Sequence, residues 1–442
     1  MNSNHPPTFL CHSLGCRVNQ AEINQIKRSL IKAGFLPWSE KLKDKPNIII
    51  LNTCVVTQKA ERETRKEIRH LKKEFPQSFL VVTGCAVNAK NQLKIKLPNA
   101  DLSVQNQNKK KISQILAQKF PLNKYSNVFT KKRQRAFIKI QDGCNQFCTF
   151  CIVPYLRGQS KSKSVAQIIK EIKKLEKEGI LEITLCGINL SLFGQDLKPK
   201  VNLVELLKKI LQETQIPRIS LSSITPNLIN KKLINLYTND WKNDSRRLSS
   251  YFHIALQSGS EKILTKMNRP KANLKKLQKL LQYIKQEIPQ FNLRADIIVG
   301  FPGETKKDFR TTLHYIEDCR IAFAHIFRYS PRPGTTAYKM IKDNQWQEVP
   351  EKTKKERSKK LRNLVEKIRQ EEAKELISQN LNCLILGKQK NYWRGLTENF
   401  WEVRIKSQKK LSKKIIPIQI TGYQNGKLDC KTLGITIEPS FC

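Results

Sequence analysis

The chain has 442 residues, of which 39% are hydrophobic, so it is long and apolar enough to form about three packed domains. The 82 Lys and Arg residues outnumber the 37 Asp and Glu residues and give a net charge of +45, which predicts a polyanionic partner such as nucleic acid, with a generally basic surface as the simpler explanation. These values exclude collagen-like, disulfide-rich secreted and wholly disordered proteins.

The first residues and the apolar runs predict the compartment. Met1 to Leu10 contains no Lys or Arg and no apolar stretch typical of a secretory signal. No apolar run reaches the roughly 18 to 20 residues that a membrane-spanning helix needs. We therefore expect a cytoplasmic protein with no membrane partner. Its 12 cysteines are then expected to be metal ligands, catalytic groups or core residues rather than disulfides.

Residues 1–125 are predicted to form a small N-terminal parallel α/β domain. Apolar runs such as Thr8 to Leu14 and Asn47 to Leu51 alternate with amphipathic stretches such as Asn19 to Ala33. Buried parallel strands followed by helices give this pattern. The Lys-rich segment from Asn106 to Gln134 is interpreted as a linker.

Residues 130–375 show the same alternation with a longer period. Six apolar runs between Ala136 and Tyr329 are separated by helical patterns, which predicts a central partial (β/α) barrel with its chemistry in the loops after the strands. Residues 351–378 are charged and contain no Gly or Pro, so we expect one long helix there.

Residues 376–442 alternate between apolar and polar positions and contain an Asn425-Gly426 turn. Five short strands in so few residues predict a small C-terminal β-barrel of a kind that binds nucleic acid. The fold class predicted for the whole chain is therefore α/β multidomain.

Three cysteines follow the first predicted strand of the barrel. Cys144, Cys148 and Cys151 form a CxxxCxxC motif in one short loop. Three soft thiolates suit a [4Fe-4S] cluster, and three ligands leave the fourth iron open for a substrate or cofactor. The alternative is a zinc ion with a distant fourth ligand.

Three further cysteines are dispersed along the N-terminal domain. Cys16, Cys54 and Cys85 each stand just after an apolar run. Because the carboxyl ends of parallel strands meet at one edge of a sheet, we expect the three thiols to converge there. They predict a second, auxiliary [4Fe-4S] cluster; the alternative is three separate core thiols.

The loop motif, with Phe150 before its last cysteine, resembles the signature of the radical S-adenosylmethionine (radical SAM) enzymes. Together with the N-terminal trio and the C-terminal β-barrel, which resembles a TRAM domain, it makes the chain similar to the radical SAM methylthiotransferases over nearly its whole length. This resemblance implies two [4Fe-4S] clusters, one SAM as methyl donor and a second SAM as the source of a 5′-deoxyadenosyl radical. It also implies a low-potential electron donor of the flavodoxin or ferredoxin type.

Within that family, three stretches are similar to the enzymes that methylthiolate C2 of N6-threonylcarbamoyladenosine at position 37 of tRNA: Leu14 to Glu22, Cys186 to Leu190, and Tyr392 to Asn399. The expected partner is then the tRNA anticodon stem-loop. Three alternatives stay open: isopentenyladenosine at position 37, ribosomal protein S12, and a non-catalytic iron-sulfur RNA-binding protein.

The resemblance also suggests residues outside the two cysteine sets. Phe150, Gln257 and Val299 stand in stretches that match the family, and we expect them to contact SAM. No general acid or base is expected, because an adenine C2 hydrogen is not acidic enough for a protein base.

Cations and aromatic residues are mixed in the C-terminal module, as in single-strand RNA recognition. The candidates for RNA binding are Lys388, Tyr392, Trp393 and Arg394. The alternative is that the aromatic side chains fill the core of the small barrel.

Overall fold

The structure is a computed structural model and describes residues 6–40, 42, 44–93, 95–120, 134–269, 273–411 and 414–434. In these ranges it contains three sheet-based units in chain order. Eleven cysteines lie in the described ranges, and none of them forms a disulfide. Cys442 and the predicted domain boundary between residues 125 and 130 lie outside the described residues.

The N-terminal unit is a five-stranded parallel sheet with strand order β2-β1-β3-β4-β5. Its strands are β1 (Thr8–Ser13), β2 (Leu36–Pro37), β3 (Ile48–Thr53), β4 (Phe79–Gly84) and β5 (Leu102–Val104). Its helices are α1 (Arg17–Lys32), α2 (Gln58–Glu74), α3 (Cys85–Leu93) and α4 (Ile112–Lys119). Every residue of β3 is buried, as expected for the middle strand of a sheet covered by helices.

The linker prediction for residues 106–134 is wrong for its first half. Asn106–Lys111 forms a 3-10 helix that leads directly into α4. Ile112 and Leu116, four residues apart, are fully buried in the core of the N-terminal sheet. The lysine run conceals this packing, since Lys109 itself is buried against a carboxylate. Residues 121–133 lie outside the described ranges.

The central unit is the predicted partial (β/α) barrel. It contains two parallel sheets, β10-β9-β6 and β11-β12-β13, which are connected by parallel bridges from Ile219 to Leu248 and from Ile224 to Ile254. Its strands are β6 (Arg135–Lys139), β7 (Gln141–Asp142), β8 (Lys161–Ser162), β9 (Glu182–Cys186), β10 (Arg218–Leu221), β11 (Tyr251–Gln257), β12 (Asn292–Val299) and β13 (Phe323–Arg328). The short strands β7 and β8 pair with each other at the start of the cysteine loop.

Helices follow the barrel strands, and most of them pack against the barrel core. They are α5 (Val153–Arg157), α6 (Val165–Lys177), α7 (Leu203–Glu213), α8 (Lys231–Lys242), α9 (Glu261–Lys266), α10 (Leu274–Glu287), α11 (Lys306–Asp318), α12 (Thr336–Lys342) and α13 (Glu351–Glu375). The long helix α13 packs against β13. No helix in the described part of the chain is both long and apolar enough to cross a membrane.

The C-terminal unit is a closed five-stranded barrel with order β14-β15-β16-β18-β17. Its strands are β14 (Asn380–Gln389), β15 (Tyr392–Thr397), β16 (Glu402–Ile405), β17 (Ile415–Gln424) and β18 (Lys427–Thr432). Arg218 of the central barrel fastens it by donating to the carbonyls of Leu396 and Asn382, each at 2.9 Å. Asn292 adds a bond from Nδ2 to the carbonyl of Asn399 at 2.9 Å.

Candidate functional site

The loop that carries Cys144, Cys148 and Cys151 runs from β7 to α5. The amide of Cys144 donates to the carbonyl of Gly158 at 3.0 Å, and the amide of Thr149 donates to the carbonyl of Met267 at 3.0 Å. Gly143 has a φ of +71°, and a Cβ there would lie 2.0 Å from the carbonyl oxygen of Gln159. Only glycine fits at this position, which fixes how the chain enters the cysteine loop.

Hydrogen-bond donors surround the sulfurs of this loop. The amide of Gln146 and the Nδ2 of Asn189 lie 3.4 Å and 3.8 Å from Cys144 Sγ. Arg269 places Nη1 3.8 Å from Cys148 Sγ. Burial raises the pKa of the Cys151 thiol to about 12. Donors directed at buried sulfurs suit thiolates that a metal keeps deprotonated, and such contacts tune a metal site.

The dispersed cysteines lie together at the carboxyl edge of the N-terminal sheet. Cys16 follows β1 and precedes α1, Cys54 follows β3, and Cys85 is the first residue of α3 after β4. These three strands are neighbours in the sheet. Gly15, with a φ of +88°, passes so close to Cys54 that an added Cβ would lie 2.8 Å from its Sγ. The sequence correctly predicts this convergence.

The three thiols of this edge influence one another electrostatically. Burial, followed by the neighbouring Cys85 and Cys16, raises the pKa of the Cys54 thiol to about 12. Burial also raises the pKa of Cys16, although water can reach its side chain. Two thiols are thus enclosed, while the third faces an opening.

The spacing of the sulfurs can be compared with that of a single-ion site. A tetrahedral zinc site, with Zn–S bonds of about 2.3 Å, holds its sulfurs about 3.8 Å apart. Among the described residues, one group brings three ligand atoms within 4.8 Å of one another, and it contains no cysteine. In each thiol trio at least one pair of sulfurs is therefore more than 4.8 Å apart, which is wider than in a zinc site and compatible with a [4Fe-4S] cluster.

Arg157 of α5 joins the two cysteine regions, and sequence reasoning missed it. Its side chain is only 1% exposed. It donates from Nε to Cys85 Sγ at 3.4 Å, from Nη2 to Asn19 Oδ1 at 2.7 Å, and from Nη1 to Glu22 Oε1 at 2.9 Å. The same Nη1 lies 2.8 Å from Asp142 Oδ1. One guanidinium of the central barrel thus holds a ligand candidate of the N-terminal domain.

Charges around Arg157 form a buried network with a positive excess. Lys109 and Lys139 both pair with Glu22, and Lys139 lies 2.7 Å from Asp142. Burial alone would raise the pKa of Glu22, but Arg157, Lys109 and Lys139 together hold it well below its usual range. Three cations thus face two carboxylates beside Cys85. The one positive charge in excess favours an anionic group at the sulfur of Cys85.

Apolar side chains make the same connection. Ile152, which follows Cys151 directly, is buried with Leu156 in one cluster that also contains Val55 and Cys85. Asn88 strengthens the contact through a bond from Nδ2 to the carbonyl of Leu156 at 2.9 Å. The two thiol trios therefore share one wall of packed side chains.

Arg17, the residue after Cys16, connects the N-terminal edge with the interior of the barrel. Its Nη1 donates to the carbonyl of Leu221 at the end of β10, at 3.3 Å. Its guanidinium carbon lies 5.2 Å from the ring centroid of Phe400, and that of Arg294 lies 4.8 Å from the same centroid. The exposed side of the N-terminal trio is thus continuous with the inside of the barrel.

The residues expected to contact SAM lie at the carboxyl ends of the strands or in the cysteine loop. Phe150 is partly buried, and its ring centroid lies 6.5 Å from that of Phe301. Gln257, the last residue of β11, has a φ of +71°, an uncommon conformation that is frequent at binding sites. Val299 is 1% exposed and packs in the barrel core, so the structure does not present its side chain to a ligand. Its carbonyl accepts from the amide of Tyr329 at 2.9 Å.

The RNA-binding candidates occupy one hairpin of the small barrel. Lys388 is exposed, and Tyr392 and Arg394 are partly exposed. Trp393 is only 8% exposed and belongs to the core of the barrel together with Trp401. The alternative stated from the sequence, that aromatic side chains fill this core, describes both tryptophans.

Two family models match the chain. The model of the radical SAM superfamily matches residues 138–316, and the model described as uncharacterized protein family UPF0004 matches residues 8–105. A solved radical SAM methyltransferase, TsrM from Kitasatospora setae with cobalamin and a [4Fe-4S] cluster bound, is similar with a TM-score of 0.54 at 13% identity. The match covers 77% of this chain and 78% of that one and supports the fold alone.

Curated relatives align with nearly the whole chain. The threonylcarbamoyladenosine tRNA methylthiotransferase MtaB of Aquifex aeolicus is 32% identical over 91% of this chain and 97% of the relative. The tRNA-2-methylthio-N(6)-dimethylallyladenosine synthase of Clostridium tetani is also 32% identical, over 99% of this chain and 97% of the relative. The synthase of the same description from Clostridium botulinum is 34% identical over 87% of both chains.

Proposed function

The chain belongs to the radical SAM methylthiotransferases, and from this premise we propose that it attaches a methylthio group to C2 of N6-threonylcarbamoyladenosine at position 37 of tRNA. Its cofactors are SAM and two [4Fe-4S] clusters. The observation that carries the proposal is the wall shared by the two thiol trios, because sulfur insertion needs both metal centres beside one substrate atom.

The cysteines divide between the two clusters according to their position. Cys144, Cys148 and Cys151 would hold the cluster that binds SAM, and Cys16, Cys54 and Cys85 would hold the auxiliary cluster. When bound, these cofactors would supply the methyl group, the radical that activates C2 and the metal centre at which the carbon–sulfur bond forms. Hydrogen-bond donors lie around the sulfur of Cys144, and Arg157 donates a hydrogen bond to the sulfur of Cys85. These contacts would orient the cysteine ligands and stabilise their negative charge.

The protein itself positions the reactants and excludes solvent. Cys54 and Cys85 are buried, whereas Cys16 is exposed beside Arg17 and the interior of the barrel. The open side of the auxiliary site therefore faces the space in which the adenine base would be held. The protein contributes residues that hold this geometry and needs no general acid or base, since C2 is activated by a radical and not by proton abstraction.

The tRNA anticodon stem-loop is the proposed partner, consistent with a net charge of +45. Lys388, Tyr392 and Arg394 present two cations and an aromatic ring on one hairpin of the small barrel. We infer that they contact the RNA backbone and an unstacked base. The reducing electron would come from a flavodoxin or ferredoxin type donor, in the cytoplasm.

Isopentenyladenosine at position 37 is the second candidate, because relatives described as dimethylallyladenosine synthases are as similar to the chain as the MtaB relatives. The stretch from Leu14 to Glu22 favours the threonylcarbamoyl substrate. Within it, Asn19 donates hydrogen bonds from Nδ2 to the carbonyls of Leu14 and Thr53 and accepts one from Arg157 at Oδ1. The stretch therefore forms part of the auxiliary site.

Mass spectrometry of tRNA nucleosides tests the assignment. A strain without the gene should lose 2-methylthio-N6-threonylcarbamoyladenosine and keep its precursor, and the intact gene should restore the product. Genes encoding Cys16→Ala or Cys144→Ala should not restore it. Loss of the isopentenyl product, or of the S12 modification, with the threonylcarbamoyl product unchanged would contradict the proposal. Purified, reconstituted protein that binds RNA without producing 5′-deoxyadenosine would favour a non-catalytic role.

A further inference from the structure

A cavity of about 300 Å³ lies between strands β11, β12 and β13 of the barrel and helix α13. Its polar lining consists of His253, Arg294, His325, Arg362, Glu366 and Arg369. Along β12, Ala295 and Ile297 pack into the hydrophobic core, so Arg294 and Asp296 project from the opposite face of the strand. Arg294 therefore enters the cavity from the face of β12 that lies opposite this core, and α13 lines the other side of the cavity.

Three arginines face one carboxylate in this lining, so the cavity is electropositive. Glu366 is already engaged, because it pairs with Arg369 and accepts a bond from the Tyr423 hydroxyl at 3.2 Å. The Nε atoms of Arg294 and Arg369 are both buried and have no hydrogen-bond partner. Buried guanidinium donors without a partner are costly, which indicates that a ligand supplies the acceptor.

His253 adds an unpartnered acceptor to the same cavity. It is 7% exposed, and its Nε2 lies 2.9 Å from Asp296 Oδ1, while His325 Nδ1 lies 3.0 Å from the same oxygen. Burial lowers the pKa of His253, so the ring is neutral and its Nε2–H donates to the carboxylate. Its Nδ1 then carries a lone pair, and this atom is also buried without a partner.

The same three side chains could be read as a metal site, because their ligand atoms lie within 4.8 Å of one another. The surrounding charge opposes this reading. Arg294, Arg362 and Arg369 would face a divalent cation across the cavity. Hydrogen bonds already account for the contacts of Asp296 with both rings. The cavity is therefore built for an anion with a neighbouring hydrogen-bond donor.

Phe400 and Arg17 connect the cavity with the proposed auxiliary site. Arg294 and Arg17 both stack on Phe400, and Arg17 directly follows Cys16. A base held beside Cys16 would thus have its substituents within reach of Arg294. The N6 substituent of threonylcarbamoyladenosine carries a carboxylate, a hydroxyl and an N–H group, whereas an isopentenyl group carries none of these.

We propose that this cavity binds the threonyl part of the substrate, with its carboxylate on Arg294 and Arg369 and its hydroxyl or N–H donating to His253 Nδ1. The inference rests on the proposed function and names the groups that select its substrate. A pocket built for hydrogen bonding discriminates strongly against an isostere that lacks the polar groups, because its own buried groups then stay unpaired.

Equilibrium binding to the holoenzyme tests the proposal with three anticodon stem-loops, which carry adenosine, N6-threonylcarbamoyladenosine or the methyl ester of the latter at position 37. We expect the free carboxylate to bind about 10-fold to 100-fold more tightly than the ester, as charge-assisted hydrogen bonds suggest. In Arg294→Gln this ratio should fall to about 2-fold or less, with the affinity for unmodified adenosine unchanged.

Two further variants keep the result interpretable. Arg320→Gln is the matched control, because Arg320 pairs with Glu372 and Glu375 away from the cavity, and it should retain the wild-type ratio. Arg294→Lys retains the charge and should keep part of the affinity ratio between acid and ester. It keeps the test possible if Arg294→Gln folds poorly. Both Arg294 variants should contain about eight irons per chain, as two clusters require.

Three results would overturn the inference. The wild-type enzyme could form the threonylcarbamoyl product yet bind acid and ester equally, in which case the subsite fails and the proposed function stands. It could form only the isopentenyl product, in which case the proposed function is wrong and the inference, which rests on it, is wrong too. A stoichiometric metal other than iron, present in the holoenzyme and lost in His325→Asn, would show a cation site in place of an anion site.

Discussion

The two thiol trios, each proposed to hold a cluster, depend on the fold in opposite ways. Cys144, Cys148 and Cys151 come from one loop whose backbone bonds and Gly143 set its shape. The N-terminal trio comes from the ends of three neighbouring strands. The position of the loop trio thus depends on the conformation of one loop, whereas that of the dispersed trio depends on the order of the strands in the sheet.

The comparison also separates what holds each trio in place. The loop trio keeps its arrangement through contacts within its own domain, such as the bond from Thr149 to Met267. The dispersed trio depends on a residue of the other domain, because Arg157 reaches Cys85, Asn19 and Glu22 together. The auxiliary site should therefore be the more sensitive of the two to changes at the domain interface.

Removing a ligand from each trio gives the largest expected effect. Cys16→Ala and Cys144→Ala should each lower the iron content from about eight to about four per chain, because each change removes one cluster and leaves the other. Both should abolish methylthiolation. Cys383→Ala, in the core of the small barrel, is the control and should keep about eight irons. A wild-type content of about four irons would contradict two separate sites.

Removing Arg157 tests the dependence of the auxiliary site on the interface. Arg157→Met leaves the buried Glu22 and the partly exposed Asp142 with one cation fewer, so the free energy of unfolding should fall by about 3 to 5 kcal/mol. The iron bound by the N-terminal trio should be lost first. Lys59→Met, which removes only an exposed helical pair with Glu63, should cost less than about 0.5 kcal/mol in the same denaturant titration. Equal effects of the two changes would show that the interface network is unimportant.

Alanine at Gly143 tests the loop trio in the same way. The added Cβ would clash with the carbonyl of Gln159, and a positive φ at a non-glycine residue costs about 1 to 3 kcal/mol by itself. We expect iron loss from the loop trio with the auxiliary iron retained. Gly179→Ala is the control, because Gly179 has a φ of +76° with nothing within 4 Å. Iron measurements that do not differ between the two variants would refute the requirement for glycine.

Lowering the pH should reduce the free energy of unfolding gradually, through the carboxylate of Glu22 at the domain interface. The pKa of Glu22 is held well below its usual range in the folded chain by Arg157, Lys109 and Lys139, against the effect of burial. Its contribution to stability is therefore present above the unfolded pKa of about 4.3 and is lost as the pH falls through the lower folded value. Urea unfolding of the cluster-free chain should show this decline below about pH 4, and Glu22→Gln should flatten it. An identical pH dependence in both chains would rule out Glu22 as the source.

Much of the architecture follows from pattern alone. The six barrel strands and the C-terminal alternation are visible as apolar runs, because burial on a sheet imposes its period on the side chains. The helical packing of residues 106–119 was missed, since a lysine run hides the two apolar residues Ile112 and Leu116 that decide it. Trp393 could not be assigned, because a stacking surface and a core aromatic look alike in a sequence.

The sequence by itself determined where the three loop cysteines proposed to hold a cluster stand, because they are within eight positions of one another and need only local backbone geometry. It also predicted the edge at which Cys16, Cys54 and Cys85 meet, since parallel strands end on one side. Only the tertiary structure decided that Arg157 holds that edge from another domain and that unpaired groups of Arg294, Arg369 and His253 line one cavity. Contacts between residues more than 70 positions apart depend on how whole layers pack, and no local period in the chain encodes that packing.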